Sequence, residues 1–297
     1  AVFAQTTWHV LEKLALTAGG RYSNDELGQT SAGVGFGTPK QVNRGEVSFS
    51  DFSPRFSISY DVTDDLTTYA TASKGYKAGG LQFNAALPQQ SFDKEELWNY
   101  ELGLRSYWLD HKLMLNATAF QMEWKDLQVE STATVLDPET GAIIVIDATL
   151  NAASATSRGA ELELSARPTP AWLLDAAVGY LDAKFDRFPN ALISGNEVDL
   201  SGYRVIRSPK WTLSANAQYE FPLTDRIAAD AKGYARAEWS YRSSTKPNMA
   251  SILQSGFPYD IEAFQVVNLR AGVRNDAWSL EAYLENALDE EYFTGHA

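Results

Sequence analysis

The chain has 297 residues, enough for one large domain or two ordinary ones, with 44% hydrophobic residues and a net charge of −13. That acidity, with no basic stripe, argues against nucleic acid as a partner. The absence of cysteine fits a cell-envelope protein, though many cytosolic chains share it.

About a dozen strands follow one another from end to end, most of them about ten residues long. They pair as hairpins through short connections. Val2–Val10 and Leu14–Tyr22 join through Leu11-Glu12-Lys13, and Phe52–Val62 joins Leu66–Tyr76 through Thr63-Asp64-Asp65. Leu97–Trp108 and Lys112–Val129 flank Leu109-Asp110-His111, and Arg158–Arg167 meets Trp172–Phe185 through Pro168-Thr169-Pro170-Ala171. Trp211–Phe221 and Ala231–Tyr241 join through a longer stretch with Pro222 and Asp225, and Phe264–Arg274 reaches Trp278–Glu285 through Asn275-Asp276-Ala277. Asp, Asn and Pro have turn-forming reasons to occupy these sites.

The connections at the other end are long: Ser23–Asp51, Lys77–Glu96, Glu130–Ser157, Arg187–Pro209 and Arg242–Ala263. One carries its own hairpin signal, Asp137-Pro138-Glu139-Thr140-Gly141, followed by Ile143–Ile146. Five such loops would count against a compact soluble domain, whereas short turns at one end and long loops at the other are the rule in outer-membrane barrels.

Strand Trp211–Phe221 shows the pattern best. Trp211, Leu213, Ala215, Ala217, Tyr219 and Phe221 share one face, and Thr212, Ser214, Asn216, Gln218 and Glu220 the other. Rings stand at both ends of the apolar face with small residues between, as expected of lipid outside, water inside and a headgroup belt at each rim. By the same alternation Ala160, Leu162 and Leu164 face lipid, and Glu161, Glu163 and Ser165 the lumen. Ala235, Ala237, Trp239 and Tyr241 face out and Arg236, Glu238 and Arg242 in; Val267, Leu269, Ala271 and Val273 face out and Asn268 and Arg270 in. The expected lumen lining is therefore Glu161, Glu163, Asn216, Arg236, Glu238 and Arg270. In Leu66–Tyr76 both phases are mixed, and in Lys112–Val129 the phase slips near Thr118–Phe120, which predicts a bulge. Trp8, Tyr22, Trp108, Trp124, Trp172, Trp211, Trp239 and Trp278 lie beside turns and loops and read as a girdle.

No catalytic or metal constellation emerges. His9, His111 and His296 are scattered, and no nucleophile elbow or cysteine nucleophile exists. Gly33-Val34-Gly35-Phe36-Gly37 lacks the strand-to-helix context of a phosphate loop, and the Asn116-Ala117-Thr118 sequon falls within a membrane strand. Glu161 and Glu163 are explained as lumen charges rather than an acid/base pair. The expectation is no enzyme, no cofactor and no metal.

The order of motifs resembles the C-terminal barrel region of TonB-dependent outer-membrane receptors. The segments are Phe52-Ser53-Pro54-Arg55-Phe56-Ser57-Ile58-Ser59-Tyr60, then Thr68 to Gly80 (TYATASKGYKAGG), then Glu95 to Arg105 (EELWNYELGLR). Arg158-Gly159-Ala160-Glu161-Leu162-Glu163 follows, and last Leu284 to Phe293 (LENALDEEYF), similar to the family's Asn-Leu-Phe-Asp turn but with Ala287-Leu288 in its middle. The resemblance implies an all-β, antiparallel transmembrane β-barrel, here a partial barrel of about 12 strands from one of about 22. It implies residence in the outer membrane of a Gram-negative bacterium, contact with its lipid, and a plug domain and TonB box outside residues 1–297. It implies TonB-coupled uptake of a small-molecule nutrient such as a ferric siderophore, haem, cobalamin or a glycan. The chain starts in a strand without an initiator Met or signal peptide and lacks a closing strand, so the native polypeptide is expected to continue.

Two other readings stand beside this one: a passive porin or other large barrel, and a soluble all-β sandwich whose apolar faces pack on a second sheet. If the receptor reading holds, ligand meets the long loops, and their rings Phe83, Phe188, Tyr203, Phe257 and Tyr259 form a capturing rim. The alternative for each ring is that it packs the loops together.

Overall fold

In the computed structural model the described residues are 1–33, 41–82, 90–136, 141–193, 196–223, 230–254, 256 and 259–294, with side chains omitted at 31–33, 41–43, 131–136, 144–147, 152 and 192. Twelve strands form one antiparallel sheet. They are β1 (Val2–Leu11), β2 (Leu14–Gly33), β3 (Gln41–Thr63), β4 (Leu66–Lys77), β7 (Glu95–Trp108) and β8 (Leu113–Leu136), then β9 (Ile143–Ala166), β10 (Trp172–Arg187), β13 (Trp211–Pro222), β14 (Lys232–Arg242), β15 (Phe264–Arg274) and β16 (Ser279–Leu284). Two small hairpins stand apart, β5 (Gly80–Leu81) with β6 (Ser91–Phe92) and β11 (Ala191–Ile193) with β12 (Asn196–Val198). Each sheet strand pairs with its neighbours in chain order, and β1 and β16 form the outer edges.

The register keeps the two faces separate around the sheet. Leu115, Leu164, Ala176, Ala215, Trp239 and Val267 are successive direct partners on the apolar face. One step along, Met114, Ser165, Asp175, Asn216, Glu238 and Asn268 line up on the polar face. Large apolar side chains stay exposed on the first face, among them Trp8 at 66%, Leu102 at 63% and Phe56 at 55%. A continuous exposed apolar band is tolerable only against lipid.

Aromatic pairs close the band at both rims. At the turn end Trp172 meets Tyr219 at 4.8 Å between ring centroids, and at the loop end Tyr180 meets Trp211 at 4.8 Å. From Trp211 to Phe221 a strand advances about 33 Å, which at a tilt of about 40° rises about 25 Å, the height of an outer-membrane apolar band. Trp124 departs from the expected girdle: it packs against the loop core instead.

Two sequence expectations need correction. The stretches Ser23–Asp51 and Glu130–Ser157 are mostly strand, since β2 and β3 pair out to Gly33 and Gln41, and β8 and β9 out to Leu136 and Ile143. Beyond the membrane an antiparallel ribbon still satisfies its own backbone, so pairing need not stop where the apolar belt does. The hairpin signal at 137–140 lies outside the described residues, but the strands on either side of it do pair.

The bulge is also displaced. Thr118, Ala119 and Phe120 pair regularly with Glu161, Ala160 and Gly159, and the ladder breaks between Trp124 and Gln128, where Asp126 takes a φ of 54°. The apparent slip has another cause: Phe120 lies on the polar face over Gly159, where an added Cβ would come within 2.4 Å of its ring. Tyr69 explains the mixed phase of β4 in the same way, lying over Gly103 at 2.5 Å from an ideal Cβ.

Candidate functional site

The polar face is built by alternation and tied laterally by hydrogen bonds. Asp175 accepts from Ser165 Oγ at 2.7 Å and Asn216 Nδ2 at 2.9 Å, and Asn116 Nδ2 reaches Glu163 at 3.3 Å. Glu161 and Glu163 border a small hollow with Tyr69, Arg105, Asn116 and Thr118. Tyr69 donates to Glu101 at 2.6 Å, and the Arg105 guanidinium lies 5.1 Å from its ring centroid. Towards the turn end, Glu238 bridges Arg236 at 2.5 Å and Arg270 at 3.4 Å, and Arg270 continues to Glu281 at 3.2 Å. Tyr234 also bonds Glu281, and Arg274 pairs with Glu220.

Of the six expected lining residues, Arg236, Glu238 and Arg270 come together in one ion-paired ladder. Glu161 and Glu163 share the hollow, and Asn216 stands with Asp175. Sequence reading missed Asp175, Tyr69, Glu101 and Glu281. Asp175 was accessible, because it alternates with Leu174 and Ala176; Tyr69 and Glu101 were hidden by the mixed phase of β4.

At the loop end the chain folds a small apolar core above the polar face. Phe185, Phe188, Ala191, Leu200 and Met249 are buried there with Val129, Ala153 and Ala155. A cavity of about 980 Å³ opens beside it, walled by Leu81, Phe92, Phe185 and Met249, with the cations Lys77 and Arg207 on its lining. The expected rim rings behave unequally. Phe188 is 1% exposed and packs on Phe185 at 5.1 Å, so in this chain its ring is a core ring. Tyr203 and Tyr259 are exposed at 43% and 44%. Phe83 and Phe257 lie outside the described residues. Phe185 and Met249 were missed because neither a strand end nor a polar loop advertises a wall for a cavity.

Residues 78 and 93–94 are fastened firmly to the neighbouring strands. Lys94 Nζ lies 2.7 Å from Asp51 and 2.9 Å from Glu96, and Lys74 Nζ 2.8 Å and 3.0 Å from the same two carboxylates. The Asp51 side chain is 1% exposed. Burial by itself would raise its carboxyl, but hydrogen bonds from Lys74 and Lys94 outweigh that and hold it below the ordinary carboxylate range. Further along, Gln128 Nε2 donates to Ala78 O at 2.9 Å, and Asn151 Nδ2 to Asp93 O at 2.8 Å. The last motif is a turn: Asn286 Oδ1 accepts from Glu290 N at 3.0 Å while Asn286 Nδ2 donates to Glu290 O at 3.0 Å.

Comparison with known proteins agrees with this geometry. The family model described as "TonB dependent receptor-like, beta-barrel" matches residues 1–287. The pesticin receptor of Yersinia pestis is 28% identical over 200 residues, covering 67% of this chain and 28% of that protein. The ferric-pyoverdine BN7/BN8 receptor of Pseudomonas putida is 25% identical over 299 residues, covering 99% of this chain and 31% of its own length. The crystal structure of the ferric yersiniabactin uptake receptor FyuA from Yersinia pestis superposes with a TM-score of 0.77 at 19% identity, over 99% of this chain and 41% of that one. The chain thus spans about a third of the length of the curated relatives it matches. With lipid-facing belt, polar inner wall and loop layer all present, the chain belongs to the TonB-dependent receptor β-barrel family of the Gram-negative outer membrane.

Proposed function

We propose that this chain is the later barrel wall of a receptor that takes up a metal-carrying small molecule of the siderophore kind. The observation that carries the reading is the folded loop layer with its cavity of about 980 Å³, standing at the loop end above a hydrogen-bonded polar wall. Such a layer gives a ligand a preformed apolar surface, with Lys77, Arg207 and Glu130 as its charged groups, before it meets the lumen. The names of the relatives support the substrate class: a pesticin receptor, a metal-pseudopaline receptor and ferric-pyoverdine receptors. Exposed Tyr203 and Tyr259 are the first contacts, buried Phe188 holds the loop layer behind them in place, and Phe83 and Phe257 are proposed as further ligand contacts. Glu161, Glu163, Asn216, Arg236, Glu238 and Arg270 line the path below. Energy coupling to TonB belongs to parts of the receptor outside this chain, and no bond is made or broken in it.

The test is uptake of radiolabelled ferric complexes by iron-starved cells carrying the full-length receptor. Uptake is expected to stop when the proton-motive force is collapsed, and to weaken in a Tyr203→Ala, Tyr259→Ala variant that still assembles. Uptake that survives the uncoupler would identify a passive porin instead. A variant of the turn Asn275-Asp276 should leave affinity unchanged; if it alone loses binding, the assignment of ends is reversed.

A further inference from the structure

The wall of the loop-end cavity has a chemistry that narrows what it can hold. Leu81 and Phe92 come to it from the β5–β6 hairpin, Val129 from β8, and Phe185, Ile206 and Met249 from the loop core and its margin. Apolar side chains make up most of the lining, and the volume of about 980 Å³ is of the size that encloses a small molecule.

The polar groups of that wall are largely spent inside the protein. Gln128 Nε2 donates to Ala78 O at 2.9 Å and Asp93 O at 3.1 Å, and Gln128 N to Glu95 at 2.9 Å. Thr149 N donates to Gln82 Oε1 at 2.9 Å, and Thr149 O accepts from Gln82 Nε2 at 3.2 Å. Asn248 Oδ1 accepts from Ser251 N at 3.0 Å. Arg207 gives its backbone N–H to Lys246 O at 2.8 Å and its Nε to Pro247 O at 3.0 Å. Its guanidinium, like Lys77 and Glu130, forms no ion pair among the described residues. Next in sequence to the wall, Lys94 is matched by Asp51 and Glu96, and Lys246 by Asp260. The described lining therefore offers a ligand two cations against one carboxylate and few other free polar groups.

A ligand enclosed here exchanges water for apolar side chains, so every charge or polar group that the wall cannot match is stranded at a cost. The excess of one cation compensates a single negative charge, and the chain's net charge of −13 opposes the approach of a polyanion. We propose that this wall selects a metal chelate with an apolar aryl or alkyl face and no more than one net negative charge. It disfavours multiply anionic chelates, and neutral ones without such a face. The inference rests on the receptor reading above and adds to it the charge and polarity of the ligand.

The test is equilibrium binding of radiolabelled iron chelates to the purified full-length receptor in detergent. The probes are the ferric complexes of N-benzoyl desferrioxamine B, N-acetyl desferrioxamine B and a tripodal tris-catecholamide. The first two are neutral and differ in the aryl group, and the third is multiply anionic. The benzoyl probe is expected to bind at least about tenfold more tightly than either of the others. Leu81→Gln should remove most of the preference for benzoyl over acetyl. Glu130→Lys, at an exposed position, should tighten binding of the tris-catecholamide complex several-fold and leave the benzoyl probe within about twofold. Equal or tighter binding of the tris-catecholamide complex by the unaltered receptor overturns the charge limit, and equal binding of the two neutral probes overturns the apolar face. If Leu81→Gln fails to assemble, the ranking of probes on the unaltered receptor, with Glu130→Lys, decides the question. Binding of none of the three overturns the inference, whereas the receptor reading stands or falls separately on the uncoupler test.

Discussion

Placing an arginine on either side of one strand, one residue apart, is the sharpest probe of this barrel. Ala215 lies on the apolar face between its direct partners Ala176 and Trp239, in the row that continues to Leu164 and Val267. It stands four residues from Trp211 at one rim and six from Phe221 at the other, so a guanidinium there must desolvate or snorkel across half the band. Ala215→Arg in the full-length receptor is expected to cost about 2–4 kcal/mol, the range for a midplane cation on a barrel's lipid face. That is about 30- to 700-fold in the folded-to-unfolded ratio. Asn216 pairs across the polar face with Asp175 and Glu238, so Asn216→Arg meets water and two carboxylates. Its expected cost is within about 1 kcal/mol. The assay is reversible folding into thin lipid vesicles, titrated with denaturant and followed by tryptophan fluorescence. Equal costs at the two positions would refute the assigned faces; a larger cost at Asn216 would invert them.

Asp51→Asn leaves Glu96 as the one carboxylate shared by Lys74 and Lys94, and should loosen residues 90–94 by about 1–3 kcal/mol, measured as faster proteolytic nicking beside them without loss of the barrel. The pH dependence has a definite sign: because the folded Asp51 carboxyl is held low, its stabilisation is present above about 3.9 and is lost as pH falls through the folded value. Nicking that did not accelerate in acid would show that the carboxylate is not what fastens the segment. Gly103→Ala should destabilise by about 1–3 kcal/mol because its Cβ meets the Tyr69 ring, and Tyr69→Ala in the same chain should recover most of the loss in a double-mutant cycle; additivity would contradict the contact. Phe185→Ala should cost the loop layer about 3–5 kcal/mol and expose 188–209 to hydrogen exchange, while β13 and β14 stay protected.

Alternation carried most of the fold. Period-two patterning, read with turn residues, located the strands, their antiparallel order and the lipid-facing side of β9, β13, β14 and β15. A one-residue slip would reverse every side chain, so a face buried in lipid leaves little freedom of register. The same logic placed Glu161, Glu163, Asn216, Arg236, Glu238 and Arg270 on the polar face. Where it failed, the controlling partner lay elsewhere in the chain. Tyr69 and Phe120 break the pattern locally, and only the empty space over Gly103 and Gly159, on neighbouring strands, lets their rings occupy the polar face. The ribbons beyond the membrane escaped notice because lipid no longer filters their side chains, and cross-strand hydrogen bonding rather than hydrophobic period sustains them. Phe188 and Tyr203 look alike as loop aromatics; long-range packing buries one against Phe185 and leaves the other in the open. Asp51 finds Lys94 across 43 residues, and Lys184 faces Arg204 through a ladder that no local periodicity encodes. Local pattern determined which face each strand shows, because that choice is made against solvent and lipid; tertiary structure decided the loop core and the ion pairs, because those depend on which distant residues the paired ladders bring together.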